Sequence, residues 1–242
     1  MIGKLEIVSD EPALARAAAE RFLSAGRAAI AAHGSFAIAL AGGSTPKAMF
    51  VLLSAEPMRG QLQWNLVRFY FGDERCVPPD HADSNYGMAR KNLFEPLHIP
   101  DSNVYRIHGE DPPQEAAGEY EGVLRKTLGD VPVFDMIMLG MGPEGHTASL
   151  FPGTFEQFDP KRFVVTTFIQ KLNAHRVTVT PRTINAARAI LLVTGGEAKA
   201  EALAEVLAGV RNPELYPAQI LNPEHGTLTW LVDRAAAKGL SE

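Results

Sequence analysis

Apolar residues along this chain come in two textures. Short unbroken runs edged by glycine or polar residues read as buried strands, and longer stretches with apolar residues at helical spacing separate them. The strand runs are Phe36–Ala41, Val67–Phe71, Val133–Leu139, Phe163–Thr167, Arg176–Thr180, Ala189–Val193 and Thr227–Val232. Ser9-Asp10-Glu11-Pro12 opens an Ala-rich helix that continues to about His33. A second helix follows Gly42-Gly43, with Thr45 as its N-cap and Pro46 in its first turn. Further helices are expected over Asn85–Phe94, over Pro112–Thr127, from Pro181, over Glu197–Ala208 and from Asp233, and a polar loop over Asp73–Ser84. Strands that alternate with helices imply a mostly parallel sheet with helices on both faces. No repeat, low-complexity tract or long linker interrupts the pattern. The expected fold is therefore a single-domain, Rossmann-like α/β fold spanning residues 1–242.

Composition narrows the classes. With 46% hydrophobic and 21% charged residues the chain reads as a soluble globular protein. A net charge of −5 leaves no basic field for nucleic acid, so an anionic ligand would need a locally positive pocket. The single Cys76 excludes an internal disulfide, offers no metal-site spacing and suits a reducing cytosol. No signal peptide precedes Glu6 and no apolar run reaches membrane-spanning length, so a cytoplasmic location and no membrane partner are expected. Composition leaves the oligomeric state open between monomer and weak dimer.

Chemistry-bearing residues gather where strands end. After the first run, Gly42-Gly43-Ser44-Thr45-Pro46-Lys47 places glycines, hydroxyls and a helix N-terminus together, an arrangement that binds anions through backbone N–H groups. It lacks the Walker A spacing. After the second run, Gly72-Asp73-Glu74-Arg75-Cys76 puts two acids and an arginine where burial is costly unless they are paired or used. Asp73 can hold a ligand hydroxyl or orient a base, and Arg75 can meet an anionic oxygen with its planar donor fork. After Ala189–Val193, Thr194-Gly195-Gly196-Glu197-Ala198-Lys199 repeats the strand–glycine–helix logic. Lys199 in the first turn opposes the helix dipole, a cost that a bound anion would relieve. The acids and His81 in Asp80-His81-Ala82-Asp83 fit no standard metal-ligand spacing, so no metal is expected.

The most informative stretch is Gly140-Met141-Gly142-Pro143-Glu144-Gly145-His146, which runs on through Thr147-Ala148-Ser149-Leu150-Phe151-Pro152 to Gly153. Its glycines let the backbone turn sharply at the end of a buried strand, where open α/β sheets bind ligands. His146 stands there at the expected start of a short helix, with a titratable imidazole. Gly140, Gly142 and Gly145 also match the dinucleotide spacing G-x-G-x-x-G. That reading needs an acidic residue about 20 residues on to hold a ribose. Phe163–Thr167 has none, and Pro152-Gly153 cuts the following helix short.

Taken together, these blocks resemble the 6-phosphogluconolactonases of the glucosamine-6-phosphate isomerase/6-phosphogluconolactonase superfamily. The resemblance rests on Leu40–Pro46, Phe71–Pro78, Asp83–Ala89, Gly140–Gly153, Arg176-Val177-Thr178 and the Gly195–Lys199 turn, in that order over nearly the whole chain. One residue departs from the pattern: Glu144 stands where the family usually has Asp before the Gly-His pair. The amino-sugar deaminases of the superfamily share the Gly-Gly-Ser-Thr-Pro turn but carry Ile-Ala-Phe-Asn-Glu-Pro after the histidine. Here Thr147–Pro152 has the lactonase form. A sugar-phosphate-sensing regulator with this fold would need a DNA-binding module, and the N-terminus offers only an acidic, Ala-rich helix.

The resemblance implies hydrolysis of 6-phospho-D-glucono-1,5-lactone to 6-phosphogluconate, with a sugar phosphate as the partner and no cofactor. Residue chemistry fits this independently, because a ring ester needs an activated water, an oxyanion site and a grip on phosphate. His146 is the candidate base. Arg75 is the candidate charge stabiliser, with Asp73 in support. Gly42, Gly43, Ser44, Thr45, Arg176 and Lys199 are the candidates for phosphate. No nucleophilic Ser-His-Asp set is evident in the sequence, so direct attack by water is expected.

Overall fold

The computed structural model describes residues 2–155 and 158–240. Six parallel strands form the main sheet in the order β1-β9-β8-β5-β2-β3. They are β1 (Lys4–Val8), β2 (Phe36–Leu40), β3 (Val67–Phe71), β5 (Met136–Leu139), β8 (Ala189–Thr194) and β9 (Thr227–Asp233). Three shorter strands form a second, antiparallel sheet in the order β4-β7-β6. These are β4 (Asp73–Arg75), β6 (Val164–Ile169) and β7 (Ala174–Val179).

The α-helices are α1 (Glu11–His33), α2 (Ser44–Ser54), α3 (Asn85–Ala89), α4 (Glu95–Leu97), α5 (Pro113–Leu128), α6 (Pro181–Asn185) and α7 (Ala200–Ala208). Asp10 caps α1 by accepting from the Ala13 N–H, and Gly34 ends it in the left-handed conformation. Strands β2 and β5 are buried at every position, which explains their unbroken apolar runs. The chain leaves β2 toward β3 on one side and later returns to β5 on the other. That reversal of strand order opens a crevice at the carboxyl ends of β2 and β5, the usual ligand position in such sheets.

Several expectations change. Val164–Ile169 and Ala174–Val179 leave the main sheet, because only four residues, 170–173, join them as an antiparallel hairpin through the 3-10 turn Gln170–Leu172. With no helix between them, no parallel crossover is available. The expected loop from Asp73 begins as β4, paired to β7. Thr45 is not an N-cap: α2 starts at Ser44, Gly43 takes the capping position at φ 105°, and no side chain caps the helix. Helix α3 passes through a π-helical turn, Arg90–Phe94, into α4. The segment from Glu197 opens as a 3-10 turn before α7. From Asp233 the chain makes only a short 3-10 turn, Ala236–Gly239. Strand β1 escapes the sequence reading because it is a half-exposed edge strand paired on one side only.

Candidate active site

Gly72 joins the two sheets. Its N–H donates to Leu40 O at 2.9 Å, and its carbonyl accepts from Val179 N at 2.9 Å. This places Asp73 and Arg75 at the crevice, directly beyond the end of β3. Asp73 is buried at 8% exposure. Its neighbour Glu74 is buried too, but its carboxylate is used structurally. It accepts from Asn85 N at 2.7 Å, Tyr86 N at 2.8 Å and Ser84 Oγ at 3.2 Å, and so holds the start of α3. Burial pushes the Glu74 pKa up, and the backbone N–H bonds recover only part of that rise.

Arg75 and Arg176 face each other across the β4–β7 ladder. One Arg75 terminal nitrogen donates to Asp83 O, but the Nε atoms of both arginines are buried without a partner among the described residues. Like charges directly opposite each other disfavour pairing. Burial lowers the Arg176 pKa, and Arg75 lowers it further. An anion reaching this pair would relieve both effects.

His146 follows β5 in a closed loop. Gly142 N donates to His146 O at 2.9 Å and Gly145 N to Gly142 O at 3.0 Å, with Gly145 at φ 76°. The residues directly after Gly145 form turns rather than the expected helix, so no helix N-terminus is there to receive a pyrophosphate. The imidazole stacks on Phe151 with centroids 4.0 Å apart and lies against Gly142, where a Cβ would come within 2.0 Å of the ring. Its Nδ1 is 3.2 Å from Glu144 Oε2, within ion-pair range but not aligned for a hydrogen bond. That contact leaves Nε2 as the nitrogen free to take a proton.

Burial lowers the His146 pKa, Lys199 lowers it a little more, and Glu144 and Asp73 only partly oppose this. The ring is thus biased toward the neutral form, which accepts protons. For Glu144, burial works upward, but its own backbone N–H, His146 and Lys171 outweigh it and hold the carboxyl below its usual range. The longer reach of Glu at this position lets Oε1 also meet Lys171 Nζ at 3.4 Å.

Lys199 ends the 3-10 turn after β8. Asp233 fixes that turn by accepting from Gly196 N at 3.0 Å and Ala236 N at 2.7 Å. Burial lowers the Lys199 pKa, and Glu144 opposes the shift.

Gly42, Gly43, Asp73, Arg75, His146 and Lys199 all line one crevice of about 250 Å³. Ser44, Thr45 and Arg176 do not line it. Arg176 stands directly opposite Arg75 in the ladder, while Ser44 and Thr45 lie in the first turn of α2. Asp80, His81 and Asp83 do not converge as ligands; His81 Nδ1 accepts from Asp83 N at 3.1 Å. Among the described residues, the ligand-like atoms that do converge are on His108, Asp111 and Glu119, where His108 forms contacts of 3.3–3.6 Å with the two acids.

Sequence reasoning missed two residues that shape the site. Asn85 Nδ2 donates to Asp73 O at 2.9 Å, and its side chain fills the place a Cβ on Gly42 would need. Ser149 Oγ donates to Asp73 Oδ2 at 2.7 Å. Both lie in blocks that carry the resemblance, but no local pattern ties them to Asp73, which Asn85 meets from 12 positions away and Ser149 from 76.

Comparison with known proteins places the whole arrangement in context. The family model described as glucosamine-6-phosphate isomerases/6-phosphogluconolactonase matches residues 9–230. A 6-phosphogluconolactonase from Haemophilus influenzae is 37% identical over 83% of this chain and 86% of its own length. One from Homo sapiens is 39% identical over 99% of this chain and 94% of its own length. The structure of 6-phosphogluconolactonase from Trypanosoma cruzi superposes with a TM-score of 0.89 at 30% identity, covering 100% of this chain and 99% of that one.

Proposed function

Since the chain belongs to the glucosamine-6-phosphate isomerase/6-phosphogluconolactonase family, we propose that its crevice is a lactonase active site with His146 as the base. The protein is a hydrolase. It opens 6-phospho-D-glucono-1,5-lactone to 6-phosphogluconate in the oxidative pentose phosphate pathway. The observation that carries the assignment of roles is a half-buried, neutral-biased imidazole in the same small crevice as Arg75 and Lys199.

In this reading His146 Nε2 takes a proton from a water as the oxygen attacks the lactone carbonyl. Charge develops on the carbonyl oxygen, and Arg75, backed by Arg176, stabilises it. The imidazolium that forms is supported by Glu144 and Asp73. It then returns its proton to the ring oxygen as the carbon–oxygen bond breaks. The Gly42-Gly43 turn and Lys199 hold the phosphate at the other end. Water attacks directly: Ser149 is buried and its hydroxyl is committed to Asp73, so it offers His146 no nucleophile.

The test is direct. The protein should accelerate lactone hydrolysis above the buffer rate, followed by proton release or by coupled oxidation of 6-phosphogluconate. It should release no ammonia from glucosamine 6-phosphate. Ammonia without lactone turnover would replace this reading with the deaminase. Chelator should leave the rate unchanged; a loss restored by a divalent ion would refute the metal-free chemistry.

Lys199→Ala should chiefly raise KM, because a remote phosphate contact acts in ground and transition states alike. Turnover of unphosphorylated gluconolactone should be slow and hardly affected by the change. Equal losses on both lactones would place Lys199 in the framework instead.

A further inference from the structure

We propose that Ser149 is a positioning residue for lactone hydrolysis and acts through Asp73. The inference rests on the reading that Asp73 supports the charge on His146.

Asp73 is buried, and an ionised carboxylate can only accept. Its strong side-chain donor is Ser149, with Oγ at 2.7 Å from Oδ2, whereas the Asn85 amide reaches Oδ1 only at 3.4 Å. Ser149 itself is 1% exposed. Its hydroxyl proton therefore belongs to Asp73, and its backbone N–H goes to Thr178 Oγ1 at 3.2 Å. Thr178 is opposite Asp73 in the β4–β7 ladder, so the serine is pinned to the same two strands that present the acid.

The backbone is bent to bring it there. Ala148 adopts φ 49°, a left-handed conformation that residues with a Cβ take up rarely. Thr147 and Leu150 close the turn around it: Leu150 N donates to Thr147 O at 2.9 Å and Thr147 Oγ1 to Gly140 O at 2.8 Å. Strain of this kind persists where the surroundings over-determine it, and it marks functional segments. Here it turns Ser149 inward, three residues after His146. One loop thus carries the base and also fixes the acid that balances its charge. A hydrogen bond to a charged partner holds geometry more firmly than one between neutral groups.

A double-mutant cycle tests the inference, using Ser149→Ala, Asp73→Asn and the double variant, with melting temperature as the check on folding. Ser149→Ala should lower kcat by about tenfold, in keeping with loss of a bond to a charged group, and leave KM nearly unchanged. On the Asp73→Asn background the same change should cost almost nothing further, since a residue acting through Asp73 has nothing left to position. Ser149→Cys, which keeps the volume and a weak donor, should fall in between and stands in if the alanine variant does not fold. Losses that multiply across the cycle, or wild-type kcat in Ser149→Ala beside an impaired Asp73→Asn, would overturn the role of Ser149. Wild-type kcat in Asp73→Asn would instead remove Asp73 from the mechanism, and the inference with it.

Discussion

His146→Ala should lower kcat by about 10²–10⁴, the usual worth of a positioned proton acceptor. Binding of 6-phosphogluconate should change little, because the imidazole meets the water rather than the phosphate. The lactone also hydrolyses unaided, so each rate is taken above the buffer blank. The wild-type pH profile supplies an independent check. The base works only when neutral, and burial lowers its pKa. Activity should therefore persist as pH falls through the ordinary histidine value of about 6.5 and decline only below it. That limb should appear in kcat/KM, which reports the free enzyme. A His146→Ala variant with most of its kcat, or an acid limb above the ordinary value, would remove His146 as the base.

Gly142→Ala should lower kcat by about 10², although it replaces no titratable group. A Cβ there would lie 2.0 Å from His146 Cε1 and 2.1 Å from Nδ1, so the ring has to move. Phe151 stacked on the imidazole and Glu144 beside Nδ1 leave it little room to move and still face the water. A displacement of about 1 Å at the reacting centre is worth a loss of that order. Gly142 does not have a positive φ, so alanine meets no left-handed strain, and any fall in melting temperature reports the displaced ring. Combined with His146→Ala, the glycine change should add nothing further. A multiplied loss in the double variant would mean that Gly142 supports some other part of the site.

The local pattern was enough for most of the framework. Fully buried strands such as Phe36–Leu40 and Met136–Leu139 must be apolar throughout, so they stand out as unbroken runs. Glycines and a helix start at a strand end are likewise local, which is why the Gly42-Gly43 turn, Lys199 and the loop carrying His146 are legible in the sequence. What the pattern could not say was which sheet a strand joins. Alternation and burial look the same in either sheet, and only the tight Gln170–Leu172 turn commits β6 and β7 to the antiparallel one. That choice sets Arg176 opposite Arg75. It also sets Thr178 opposite Asp73, and Ser149 reaches Asp73 across 76 positions of sequence. The use of Glu74 depends in the same way on where α3 comes to rest. Side-chain burial is written into each segment by its own composition, but a hydrogen-bond partner is fixed only when the chain returns to meet it.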